Sequence, residues 1–227
     1  VHTIKVAVFQ GTDQTVFKDR REFTGSLLQQ MNEVYDFIDF RNQTRATIEK
    51  LLRIDTRDYP EIAVREALLN LLIHRDYSFS ASALISIYTD RIEFVSIGGL
   101  MPGIDLEDIM VGISVCRNQD LANVFYRLHL IEAYGTGMGK IMKAYKGLEE
   151  KPAIETTKNA FKIILPNINA KYKKGSNSVL LSKPLVNNSD GVQTSARGEK
   201  VLEYARLHGA VTRNDIIELL EVSTSTA

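Results

Sequence analysis

The stretch Pro60–Ser78, PEIAVREALLNLLIHRDYS, constrains the fold more than any other part of the chain. Its proline suits the first turn of a helix. Ala63, Val64, Ala67, Leu68, Leu69, Leu71, Leu72 and Ile73 then leave little face for water, which predicts a buried helix. Glu66 and Asn70 are set into it one turn apart, with His74 a further turn on, so the three share one stripe. A carboxylate and an amide on a buried stripe cost free energy unless something pairs with them. One reading is a polar pair tied to backbone or to each other. The other is a polar cavity, in which the carboxylate orients a water and the amide oxygen helps hold a hard cation such as Mg2+. His74-Arg75-Asp76 either extends that stripe or caps the helix by answering its dipole. It is not a protein-kinase motif, because Ala81 stands where the catalytic-loop asparagine belongs and Asp-Phe-Gly is absent.

The 227 residues suffice for one good-sized core plus a smaller module. With 28 basic and 28 acidic residues the net charge is zero, so a nucleic-acid contact has to come from a local patch. No apolar run reaches the roughly 20 residues of a membrane span. Cys116 is the only cysteine, which rules out an intramolecular disulfide and fits a cytoplasmic setting. The chain starts on Val1 and stops on Ser-Thr-Ser-Thr-Ala within a helical pattern, so it reads as a fragment of a longer protein.

Along the chain, the alternation of Ile4–Phe9 predicts a strand. Phe23 to Phe40 has helical spacing, and Thr47 to Tyr59 is a polar lead-in with some strand. Residues 1–45 thus read as the end of a preceding domain or a collar. Ala83–Tyr88 and Arg91–Ile97 predict an antiparallel hairpin turned at Thr89-Asp90. Gly98-Gly99 and Pro102-Gly103 break the second strand into a loop. Asp105 is expected to cap a short helix to Val111, and Asn118 a longer one through Ala133. Gly135-Thr136-Gly137-Met138-Gly139 follows, with a helix starting at Lys140 and a last strand at Phe161–Leu165. Residues 167–197 read as a linker rich in Lys, Ser, Asn and Gly. Residues 198–227 read as the start of a winged helix-turn-helix whose recognition helix is missing.

Alternate glycines running straight into a helix let a phosphate approach free backbone N–H groups, although a close helix–helix joint needs small residues too. This run is neither a dinucleotide fingerprint nor a P-loop. Glu66-xxx-Asn70, then a strand ending in a glycine loop, then GTGMG, together resemble the ordered boxes of the GHKL ATPase fold of gyrase and histidine kinases. More closely, REALLNLLIHRDYS, DRIEFVSIGGL, SVCRNQ and LIEAYGTGMGKI resemble the C-terminal domain of RecG-related transcriptional regulators. Such proteins carry an AlbA/Schlafen-type domain in front and often a winged helix behind. The resemblance spans roughly Val1 to Pro166.

That resemblance implies an α/β (α+β) architecture, a Bergerat-like two-layer sandwich of helices on a mixed sheet over residues 46–166. It implies ATP and Mg2+ as ligands, with Glu66 the water-activating base and Asn70 the metal ligand. Gly135, Thr136, Gly137 and Gly139 would cradle the phosphates, and Gly98 and Gly99 would shape the adenine side. Ile104 to Tyr134, including Arg117 and Asn118, would be the lid. One position departs: Ser96 stands where the fold's adenine-binding aspartate belongs, and Asp90 is at the far end of that strand. The functional expectation is a nucleotide-binding module of a transcriptional regulator, coupled to DNA through flanking domains and able to form a homodimer. The alternative is a degenerate module that binds no nucleotide and serves as scaffold or dimerisation unit. A helicase needs a P-loop and a second motor core, neither of which is in this sequence, so unwinding by this chain is not expected.

Overall fold

A computed structural model describes residues 2–132 and 134–171. The chain divides into two units, Val1–Leu181 and Ser182–Ala227, and every described residue lies in the first. The helix-turn-helix expected over 198–227, and the linker beyond residue 171, lie outside the described residues.

The first unit is a layer of helices on a mixed six-stranded sheet. In chain order the elements are β1 (Ile4–Phe9), β2 (Phe17–Phe23), α1 (Leu27–Arg41), β3 (Thr44–Glu49), β4 (Leu52–Arg57) and α2 (Glu61–Ile73). They continue with β5 (Ala83–Ile87), β6 (Arg91–Ile97), α3 (Leu106–Met110), α4 (Gln119–Arg127), α5 (Gly137–Ala144), β7 (Ala153–Thr156) and β8 (Ala160–Pro166). The sheet order is β2-β1-β5-β6-β8-β7. Only the β1–β5 pairing is parallel, with Val6 opposite Ile85; the rest are antiparallel. The strands bury one face by the period of two: Ile4 and Val6, Ile85 and Ile87, Ile92 and Phe94, Ile163 and Leu165. β3 and β4 pair only with each other, as a hairpin carrying exposed Ile48, Leu51 and Leu52 at its tip.

Over that apolar face lie α1, α2 and α5, with α2 touching both of the others as well as β6 and β8. Its place at the centre of the layer explains its composition, since all eight apolar residues from Ala63 to Ile73 are buried. Pro60 sits just ahead of the first turn, where its carbonyl takes the Ala63 and Val64 N–H groups. The C-terminal carbonyls are closed by a distant side chain: Asn118 Nδ2 donates to Ile73 and Arg75 O, both at 2.7 Å. Arg75 does not answer the dipole from the surface. It is fully buried, donating to the carbonyls of Thr3 and Ala81 across the ends of β1 and β5.

Several boundaries differ from expectation. Phe23 ends a strand, and α1 begins after the Ser26 cap, whose hydroxyl accepts from Gln29 N–H at 3.2 Å. The helix expected through Ala133 stops at Arg127, past which His129 takes φ 57. α5 begins at Gly137, inside the glycine run rather than after it. Asn167 and Asn169, expected in a linker, are buried, and Ile168 N–H donates to Asp58 O at 2.8 Å.

Candidate functional site

α2 forms one wall of a cleft of about 430 Å³. Glu66, Asn70 and His74 all line it, as the shared stripe predicts, spread over roughly 12 Å at the 1.5 Å rise of a helix. One end is closed by the Gly135–Met138 turn, the other by Gly98 to Met101, and the opposite wall comes from Ile113–Arg117 and α4.

The Glu66 carboxylate is largely enclosed, with 12% of the side chain exposed. Arg65 Nη1 donates to its Oε1 at 2.6 Å, and the same guanidinium reaches Leu130 O with Nη2 at 2.5 Å. Oε2 faces the glycine turn: a Cβ on Gly137 would stand 3.1 Å from it. Asn70 is the other polar group of the wall. Its Oδ1 is enclosed and accepts no hydrogen bond, a state that costs about 1–3 kcal/mol in a folded protein. His74 is pushed below its ordinary range, by burial first and by the Arg117 charge second, so it is uncharged at neutral pH.

At the near end, Thr136 occupies the N-cap position of α5 without capping it. The first intrahelical bond runs from Lys140 N–H to Thr136 O at 2.9 Å. The N–H groups of Gly137, Met138 and Gly139 precede it and have no partner within the helix, which leaves them for an anion. Lys140 lines the cleft beside them, with Nζ 2.8 Å from Glu132 Oε2. Thr136 Oγ1 donates to that same oxygen at 3.2 Å. The Lys140 bond and charge hold the Glu132 carboxyl below its usual value. Gly135 has φ 65, and a Cβ there would meet Gly112 O at 2.5 Å, so the turn is pressed against the loop after α3.

Gly98 and Gly99 line the far end as expected, but the demand for glycine at 99 comes from the protein itself. A Cβ on Gly99 would lie 2.3 Å from Thr157 O and 2.5 Å from Lys158 O, in the turn between β7 and β8. Gly139 is outside the cleft wall, is exposed, and has nothing within 4 Å of a Cβ. Ser96 does not reach the cleft: it is 2% exposed, and its hydroxyl points at Phe161 O, 3.4 Å away. Asp90 is at the β5–β6 turn, where its carbonyl takes Asn167 N–H.

Sequence reasoning brought Glu66, Asn70, Gly98, Gly99, Gly135, Thr136 and Gly137 to the cleft and missed Glu132 and Lys140 in its lining and Arg65, which braces Glu66 from behind it. Only Lys140 left a signal, as the first residue after GTGMG. Arg117 lies in the lid position, but Asn118 has turned away to close α2. Among the described residues no cluster of three or more His, Cys, Asp or Glu side chains is placed to hold a metal.

Residues 81–165 match the family model described as "Putative ATP-dependent DNA helicase recG C-terminal". The chain resembles that family over those residues. The resemblance to RecG-related proteins read from the sequence is therefore borne out there, across the Gly98 loop, residues 104–134 and the Gly135 turn. α2 precedes the matched span, so Glu66 and Asn70 rest on the geometry above. Among solved structures, the DIP2311 protein from Corynebacterium diphtheriae is similar in fold, with a TM-score of 0.66 and 21% identity. The alignment covers 97% of this chain and 44% of that one, so this chain spans less than half the length of its structural relative. No curated protein matches. No helix among the described residues is long and apolar enough to cross a membrane.

Proposed function

We propose that the cleft binds a nucleoside triphosphate with Mg2+, and that the module serves a cytoplasmic transcriptional regulator whose flanking parts contact DNA. The observation that carries the reading is the enclosed, unpartnered Oδ1 of Asn70 in the same cleft as the open N-terminus of α5. An acceptor kept at this cost among the eight buried apolar residues of α2 suits a hard cation. Mg2+ takes oxygen ligands and completes its shell with substrate phosphates and water, so a single amide oxygen beside the phosphate position can serve as its protein contact.

In this reading Asn70 holds the metal, which when bound neutralises phosphate charge. The phosphates lie on the N–H groups of Gly137 and Met138, with Thr136 and Lys140 beside them. Gly135 gives the turn its backbone shape. Arg65 fixes Glu66 through Oε1 and leaves Oε2 beside Gly137, where it can orient a water and take its proton. Hydrolysis thus depends on Glu66, whereas binding does not. Gly98 and Gly99 frame the base end, where ATP, the ligand expected from the resemblance, finds no aspartate because Ser96 is enclosed.

That last point favours the second reading, a scaffold or dimerisation unit that has lost its nucleotide. The two are separated by titrating the full chain calorimetrically with nucleotide in the presence of Mg2+. Saturable heat, abolished by Asn70→Ala, supports the first; no heat and no thermal shift with ATP, ADP or GTP supports the second.

A further inference from the structure

The two ends of the cleft differ in chemistry. The carboxylates that line it, Glu66 and Glu132, both stand at the α5 end. At the Gly98 end the nearest carboxylate is already used: Asp76 Oδ1 takes the Ser78 N–H and hydroxyl at 3.0 and 2.6 Å, and Oδ2 takes Arg117 Nη1 at 3.2 Å. The end instead presents the Arg117 guanidinium, which offers five N–H donors and no acceptor. Two are engaged, one with Asp76 and one with Gly99 O at 2.9 Å; Nε is enclosed without a partner. The Gly99 carbonyl, an acceptor on this side of the cleft, already takes one N–H of the arginine.

An exocyclic amino group is a donor and finds only donors on this guanidinium, whereas a carbonyl oxygen is met by a cation with spare N–H groups. Arginine pairs in this way with O6 and N7 of guanine. We infer that the cleft selects a 6-oxopurine nucleoside triphosphate over a 6-aminopurine one, with Arg117 as the residue that reads the oxygen. The inference rests on the nucleotide reading above and adds the class of base to it. It replaces a carboxylate that accepts from an amino group by a guanidinium that donates to a carbonyl.

ITP and ATP test it, since they differ at position 6 (with the N1 proton that accompanies the oxo form) and share sugar, phosphates and metal. Calorimetry on the full chain with Mg2+ is expected to give ITP and GTP affinities about ten-fold or more above ATP, the scale of one hydrogen bond to a charged group. Arg117→Met should erase the difference between ITP and ATP. Should that variant fail to fold by circular dichroism, Arg117→Lys, which keeps the charge but loses the planar fork, should erase most of it. ATP binding as tightly as ITP, or more tightly, overturns the inference and leaves the nucleotide reading standing. Binding of none of the three overturns both.

Discussion

Replacing Asn70 by leucine should make the ligand-free protein more stable while destroying its site. Leucine is close to asparagine in size and matches the apolar surroundings supplied by Leu69 and Ile73 on the same helix. The change removes an enclosed acceptor without a partner, for which the cost is about 1–3 kcal/mol, and adds apolar contact. Some packing mismatch offsets part of the gain, since even volume-conserving core swaps cost up to about 1.5 kcal/mol. The expected net effect is a stabilisation of about 1–2 kcal/mol. In a domain of this size each kcal/mol moves the thermal midpoint by about 2–4 °C. Urea denaturation with unchanged slope measures the first quantity and scanning calorimetry the second. Repeating both with Mg2+ and nucleotide at about 100 times the dissociation constant should stabilise the parent by about 2.7 kcal/mol and leave the variant unmoved. A variant that loses 1 kcal/mol or more, yet still gains from nucleotide, would refute the reasoning, because Asn70 would then be an ordinary satisfied core residue.

Other outcomes follow from the same geometry. Gly99→Ala should cost about 1–3 kcal/mol or more by thermal unfolding, because its Cβ would lie 2.3 Å from Thr157 O; Gly139→Ala, with open space around it, should gain up to about 1 kcal/mol as a helix substitution. His74 is held uncharged, so its folded pKa lies below the unfolded value near 6.5; its contribution is full above that pH and is lost as pH falls through the folded value. Thermal midpoints below pH 6.5 should therefore drop less steeply in His74→Asn than in the parent, and parallel curves would contradict this. Arg65→Met should speed amide exchange around Leu130, which loses its tether to α2. Global stability should change by less than about 1 kcal/mol, because the ion pair is partly exposed.

Where burial writes a period into the chain, the fold was legible. β1 and β6 run as expected, and α2 announces its central place by its eight apolar residues between Ala63 and Ile73. β2 left no such mark: FKDRREF buries only Phe23, because an edge strand on a sheet covered on one side needs little apolar alternation and is protected by charge. β7 is short and mostly exposed for the same reason. The start of α5 was misplaced because glycine is a poor helix former, yet the helix begins at Gly137. In the cleft, Glu66 and Asn70 could be read because helical spacing alone aligns them. Arg65, Glu132 and Lys140 could not, since their partners are set by how the segment after α4 folds back over α2 and α5. Gly99 and Gly139 mark the limit of reading glycines as ligand contacts: one is required by a neighbouring turn and the other by nothing around it.

The most direct test of the account is a calorimetric titration of the full chain with nucleoside triphosphate and Mg2+, run beside Asn70→Ala and Glu66→Ala. Saturable binding by the parent and by Glu66→Ala, with none by Asn70→Ala, is the predicted result. Equal binding by parent and Asn70→Ala, or no binding of any nucleotide by the parent, would contradict it.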